Sequence, residues 1–144
     1  MKYFLDTSAL VKVYHKEPGT EEVLNIYKGQ NDIVVSELSK IEFVATIHRK
    51  VRQKEINDKT VEVLLEKFQF DMEDKYEFLI FSSAVIDEAF RLLCKYGKTE
   101  AFRSLDSIQL AFYGVYCDGE DVFVCSDARL AKIAKLEGYE ALIP

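Results

Sequence analysis

Tryptophan is absent, and the 144-residue chain holds only two prolines, three cysteines and two histidines. Each shortage excludes something. Cys94, Cys117 and Cys125 are odd in number, widely spaced and without a CxxC pair, and only His15 and His48 could assist them. Neither a zinc centre nor a disulfide framework is expected, and buried, reduced thiols are. Pro18 and Pro144 make no proline-rich linker, and no Gly/Ser stretch or repeat divides the chain, so one domain over residues 1–144 is expected. No apolar run is long enough to cross a bilayer. The opening MKYFLD meets an acid before a signal-peptide core could form, which makes the cytoplasm the expected location, with no membrane partner. An apolar content of 49% and a charged content of 31% describe an ordinary globular chain, long enough to bury a core without staples.

A surplus of basic charge is also missing. The net charge of −6 looks wrong for a nucleic-acid binder until its distribution is read. Residues 55–90 hold ten acids and three lysines, a balance of −7, so the remainder of the chain is +1. Basic clusters stand at HRKVRQK (48–54), at RLLCKYGK with Arg103 beyond it, and at Arg129, Lys132 and Lys135. Solvated helix faces are the plain reading of each.

What is present is alternation. Apolar residues 2–5 predict a strand, followed by helices around 7–15 and 20–29 broken at Glu17-Pro18-Gly19. A strand is expected over 32–35, then a long helix to about Gln53 capped by Ser36, and another capped by Asn57. Strands at 77–81, 122–124 and 139–143 alternate with helices over 84–96, from Ser104 to about 116, and from Ser126 or Asp127 to 137. Short apolar strands separated by helices point to an α/β fold, a parallel sheet covered on both faces.

Four acids sit awkwardly in this pattern. Asp6 closes the first strand, Glu42 lies inside IEFVATI, Asp106 inside SLDSIQLAF, and Asp127 follows VFVCS. A carboxylate in an apolar setting is costly without compensation. Asp6 and Asp127 fall at the carboxyl edge of the sheet, where ligands collect in open α/β folds, and the helices carrying Glu42 and Asp106 begin at that edge. No basic residues are spaced to pair all four, so a divalent cation is suggested, with Thr7, Ser8 and Ser126 orienting ligands or waters around it. Helix capping by Asp6 and Asp127, or core pairing of Glu42 and Asp106 with arginines, are the plain alternatives.

The ordered set FLDTSALVKVY, SELSKIEFVA, RSLDSIQLA and VFVCSDARLAKIAKLEGYEAL resembles PIN-domain proteins, specifically the VapC-like toxins of type II toxin–antitoxin systems. The resemblance covers essentially the whole chain. It implies a three-layer α/β/α PIN-like fold with sheet order 3-2-1-4-5. It also implies an Mg(II)- or Mn(II)-dependent endoribonuclease that hydrolyses RNA phosphodiesters, with Asp6, Glu42, Asp106 and Asp127 as catalytic and metal-binding acids. Asp6 and Asp106 would hold the ion chiefly, Asp127 would assist, and Glu42 would steady the site. Lys12, Lys16, Arg49 and Arg129 are candidates for RNA phosphate contacts. A cognate VapB-like antitoxin and a homodimer built on helices near the start of the chain are the implied partners. Tyr14, Tyr27, Phe43 and Phe68 could line such surfaces, although a core position is the simpler expectation.

Two positions depart from the family pattern. Cys125 stands where a Thr is frequent, and a thiol is the poorer donor; Gln109 stands where many members have His, with no expected effect on catalysis. Other readings remain open. A haloacid-dehalogenase-type phosphohydrolase would want an acid where Ser8 stands. A receiver domain would want its acceptor elsewhere than the first strand. A catalytically silent PIN module is a third possibility, weighed against an intact acid set.

Overall fold

The computed structural model describes residues 1–144. Five strands, β1 (Lys2–Leu5), β2 (Asp32–Ser36), β3 (Tyr76–Leu79), β4 (Val122–Val124) and β5 (Glu140–Leu142), form one sheet in the order β3-β2-β1-β4-β5. Every pairing is parallel; Tyr3 pairs with both Ile33 and Val122, and Phe4 with Val34 and Phe123. Seven helices connect or flank the strands: α1 (Thr7–Tyr14), α2 (Thr20–Lys28), α3 (Leu38–Arg52), α4 (Asp58–Asp74), α5 (Ser83–Tyr96), α6 (Ser104–Tyr116) and α7 (Ala128–Leu136). The expected strand order is the observed one.

Strand alternation divides the core in two. Phe4, Val34 and Phe123 point to one face, where they meet Val85, Leu92, Leu110, Phe112 and Ile133 of α5, α6 and α7. Their neighbours Leu5, Val35 and Val124 point to the other, against Leu10, Val23, Phe43 and Phe68 of α1 to α4. Successive side chains of a strand face opposite ways, so each short strand serves both layers. That explains why these strands are apolar at nearly every position rather than at every second one. No helix is long and apolar enough to cross a membrane.

Helix starts differ in detail from the sequence expectation. Asn57 caps α4 as expected, its Oδ1 accepting from Thr60 N at 2.8 Å. Ser36 ends β2, and its hydroxyl accepts from Ser39 N at a long 3.3 Å, while Glu37 occupies the capping position without a side-chain bond. Ser104 is the first residue of α6, and Arg103 precedes it, again without a side-chain cap. Asp6 and Asp127 both cap the helices that follow them, accepting from Ala9 N at 3.0 Å and Arg129 N at 2.9 Å.

Tyr14, Phe43 and Phe68 are buried in mutual contact, Tyr14 edge-on to the other two, and line no open surface; Tyr27 is half-buried against the same core. Asp71, also buried, accepts from the hydroxyls of Tyr14 at 2.6 Å and Tyr27 at 3.0 Å, and pairs with Lys67 at 3.2 Å.

Candidate active site

The carboxyl ends of β1 and β4 lie side by side, while the chain leaves β1 towards β2 on the other flank. A crevice opens at such a reversal. Here it is a cavity of about 920 Å³ whose lining includes Asp6, Glu42, Asp106 and Asp127. The fold thus brings all four acids from four separate segments to one space.

Each acid is held through one oxygen. Asp6 Oδ1 accepts from Ser8 Oγ at 2.6 Å and from Ala9 N at 3.0 Å. Ser8 Oγ in turn accepts from Ser126 N at 2.9 Å, which ties the start of α1 to the end of β4. Glu42 Oε1 accepts from Thr7 Oγ1 at 2.9 Å and Gln109 Nε2 at 2.7 Å. Asp106 Oδ2 accepts from Arg103 Nε at 2.9 Å, and Asp127 Oδ1 from Arg129 N at 2.9 Å. The second oxygen of every one of these carboxylates accepts no hydrogen bond within the protein.

Gln109 is the residue that sequence reasoning undervalued. It is 2% exposed, and its Oε1 accepts from Ser36 Oγ at 2.8 Å. Its Nε2 lies within 3.1 Å of Thr7 Oγ1 and of Ser39 Oγ. A buried amide with both ends matched has one orientation, because the reverse would set its carbonyl against the Glu42 carboxylate. The sequence signals were a polar residue one turn beyond Asp106 on a largely apolar helix and its place where many members of the resembled family have His.

Burial gives Asp6 an unusual chemistry. It is 5% exposed, and desolvation pushes its carboxyl up to about 7, with Glu42 and Asp106 adding to the effect and the Ser8 and Ala9 donors opposing it. An anion there requires positive charge close by. Ser126 Oγ, on the cavity wall, is buried and has no hydrogen-bond partner.

These features fit a hard cation. The four carboxylate oxygens without hydrogen bonds and an orphaned hydroxyl are all-oxygen donors, the set that Mg(II) and Mn(II) prefer. No three His, Cys, Asp or Glu side chains are gathered tightly enough to enclose an ion by themselves. That openness suits a cation that keeps most of its waters and takes one or two carboxylates directly.

The basic candidates separate. Arg49 lines the cavity, together with Arg52 and Arg103, which the sequence did not single out for the site. Lys12 does not serve: it is 5% exposed and its ammonium is bonded to the Pro18 carbonyl. Lys16 is exposed and lies off the cavity wall, whereas Arg129, also exposed and not a lining residue, sets its Nε 3.8 Å from Asp127 Oδ1. Cys125 is wholly buried in the core behind the site, its Sγ 3.5 Å from the Asp127 carbonyl, and burial pushes its thiol far up.

Comparison with known proteins adds a family. The model of the PIN domain matches residues 3–136. No curated relative matches the chain in sequence. Among solved structures, FitAcB of Neisseria gonorrhoeae superposes with a TM-score of 0.73 at 16% identity, covering 97% of this chain and 96% of that one. VapC20 of Mycobacterium tuberculosis, a sarcin–ricin loop cleaving toxin, gives 0.72 at 10% identity, covering 99% and 100%. A toxin–antitoxin complex from Klebsiella pneumoniae gives 0.58 at 13%, covering 89% and 88%. Identities this low speak to the fold alone.

Proposed function

The chain belongs to the PIN domain family, and from that premise we propose that it is an Mg(II)- or Mn(II)-dependent endoribonuclease, the toxin of a type II toxin–antitoxin pair. The observation that carries this reading is the convergence of Asp6, Glu42, Asp106 and Asp127 on one cavity, each with one oxygen fixed by the scaffold and one that accepts no hydrogen bond within the protein.

Asp6, Asp106 and Asp127 would hold the cation, with Glu42 completing the negative field. When bound, the cation supplies Lewis-acid activation of water and neutralises charge at the scissile phosphate. The chain's own groups do the positioning. Ser8 fixes the Asp6 carboxylate and Ser126 together, and Thr7 and Gln109 fix Glu42. Arg49 and Arg52, which line the cavity, offer charge to the phosphates flanking the cut. A neutral or negative net charge does not oppose RNA binding when the acids are covered by the cation and the groove wall is basic.

The toxin reading draws on the likeness to VapC20 and to the Klebsiella complex, which supports a VapB-like antitoxin as partner. A homodimer accords with the exposed Ile80 and Phe81 after β3 and Ile86 and Phe90 on α5. These lie mid-chain, whereas the apolar residues of α1 are buried except for the half-buried Val13. A cytoplasmic location goes with an RNA substrate and with free cysteines.

The test is incubation of purified, antitoxin-free protein with total cellular RNA in Mg(II), Mn(II) or EDTA, beside an Asp6→Asn control. Discrete fragments that need the cation and vanish in the control support the reading. No fragments from a folded protein that binds Mn(II) would favour a silent PIN module.

A further inference from the structure

Arg103 stands immediately before α6, three residues ahead of Asp106. Its side chain is 75% exposed yet turns back over the acids. Nε donates to Asp106 Oδ2 at 2.9 Å, and one terminal nitrogen lies 3.9 Å from Asp127 Oδ2. A guanidinium keeps its charge at every pH the protein survives. Two of the four carboxylates therefore share this permanent monovalent cation, and Asp127 has a second one in Arg129, whose Nε lies 3.8 Å from its Oδ1.

Helix stability does not account for the placement. Arg103 gives α6 no side-chain cap, and a positive charge at a helix N-terminus opposes the helix dipole. Nor does packing, given the exposure. What Arg103 does supply is positive charge at Asp106, whose only hydrogen-bond donor it is, and at the outer oxygen of Asp127.

We propose that Arg103 is a built-in competitor of the divalent cation, neutralising Asp106 and Asp127 in the cation-free protein and leaving them when the cation binds. This rests on the cation reading of the site. The competition is mild, because an exposed ion pair is weak and the side chain is free to swing away. Its effect is to set how much free cation the site needs, while keeping the acids from repelling one another in its absence.

Mn(II) affinity of the full chain tests this without reference to activity. Arg103→Gln should bind Mn(II) about two- to fivefold tighter than wild type. Arg49→Gln is the control for general electrostatics, since Arg49 lines the same cavity without an ion pair to the acids, and should shift affinity less. In EDTA, Arg103→Gln should melt below wild type, and saturating Mn(II) should close that gap. Equal affinity of Arg103→Gln and wild type, or equal tightening by Arg49→Gln, overturns the proposal and leaves the cation reading standing. No Mn(II) bound by any of the three proteins overturns both.

Discussion

Gln109 Nε2 lies 2.7 Å from Glu42 Oε1 and joins α6 to α3 beneath the acidic cavity. The contact is one edge of a closed set in which Thr7, Ser36 and Ser39 satisfy the rest of the amide. Because the set is buried, removing one member strands the others.

Gln109→Leu is therefore expected to lower stability by about 1–3 kcal/mol and cleavage by about 10- to 100-fold. Gln109→His, whose ring N–H can still reach a carboxylate, should keep more of both. Thermal melts and initial rates on a defined RNA check this; Gln109→Leu with wild-type cleavage would remove Gln109 from the site.

Asp6 sets a pH dependence of unusual sign. Its folded carboxyl is raised from 3.8 to about 7, chiefly by burial. Between those values the folded chain holds a proton that the unfolded chain has released, so stability falls as pH rises from about 4 to about 7. In EDTA at pH 8, Asp6→Asn should be more stable than wild type by roughly 2–4 kcal/mol. Added Mn(II) should raise the melting temperature of wild type at pH 8 more than that of the variant. Melts across pH with and without Mn(II) decide it, and a wild-type stability that climbs over this range would contradict it.

Glu137 behaves in the opposite sense. Burial raises its carboxyl, but hydrogen bonds from Tyr96, Arg91 and Lys95 outweigh that and take it down to about 2. Its contribution is present above an ordinary glutamate pKa and is lost as pH falls towards 2. Arg91 and Lys95 are about half exposed, so solvent screening reduces the effect. Glu137→Gln should cost about 1–2 kcal/mol at pH 7 and progressively less in acid, as read by denaturant melts at several pH values.

RNA binding should sort the basic residues by place. In an Asp6→Asn background with Mg(II), Arg49→Gln and Arg52→Gln should each weaken RNA binding and reduce the salt slope by about one. Lys16→Gln, off the cavity wall, should change little. Filter binding at several salt concentrations separates the two groups; a uniform effect of all three would indicate general charge rather than a defined groove.

The parallel sheet and the awkward placement of four acids were legible from local pattern, and the strand order from the resemblance to PIN-domain proteins. Short apolar runs between helices signal a parallel sheet, and the acids ending such runs, Asp6 and Asp127, cap the following helices as well as facing the cavity. Contacts made across the fold were not legible. Gln109 reads as a minor polar interruption until α6 is laid against α3. Lys12 reads as a free cation, yet the break at Pro18 turns a backbone carbonyl onto it. Arg103 looked like one more member of a basic cluster, and only the meeting of β4 with the start of α6 puts it between two aspartates. Sequence separation hides such partners because nothing local depends on them.

The most direct test of the central claim is the chemistry of the cut ends. Single-turnover cleavage of a defined RNA by wild-type protein in ¹⁸O-labelled water with Mg(II), followed by mass analysis of the fragments, reads the nucleophile. Water attack at the carboxylate site predicts one labelled oxygen on a terminal phosphate monoester, with no product from Asp106→Asn. A 2′,3′-cyclic phosphate formed without label, or equal cleavage in EDTA, would mean that the ribose hydroxyl is the nucleophile or that the cation is dispensable, and would contradict the account.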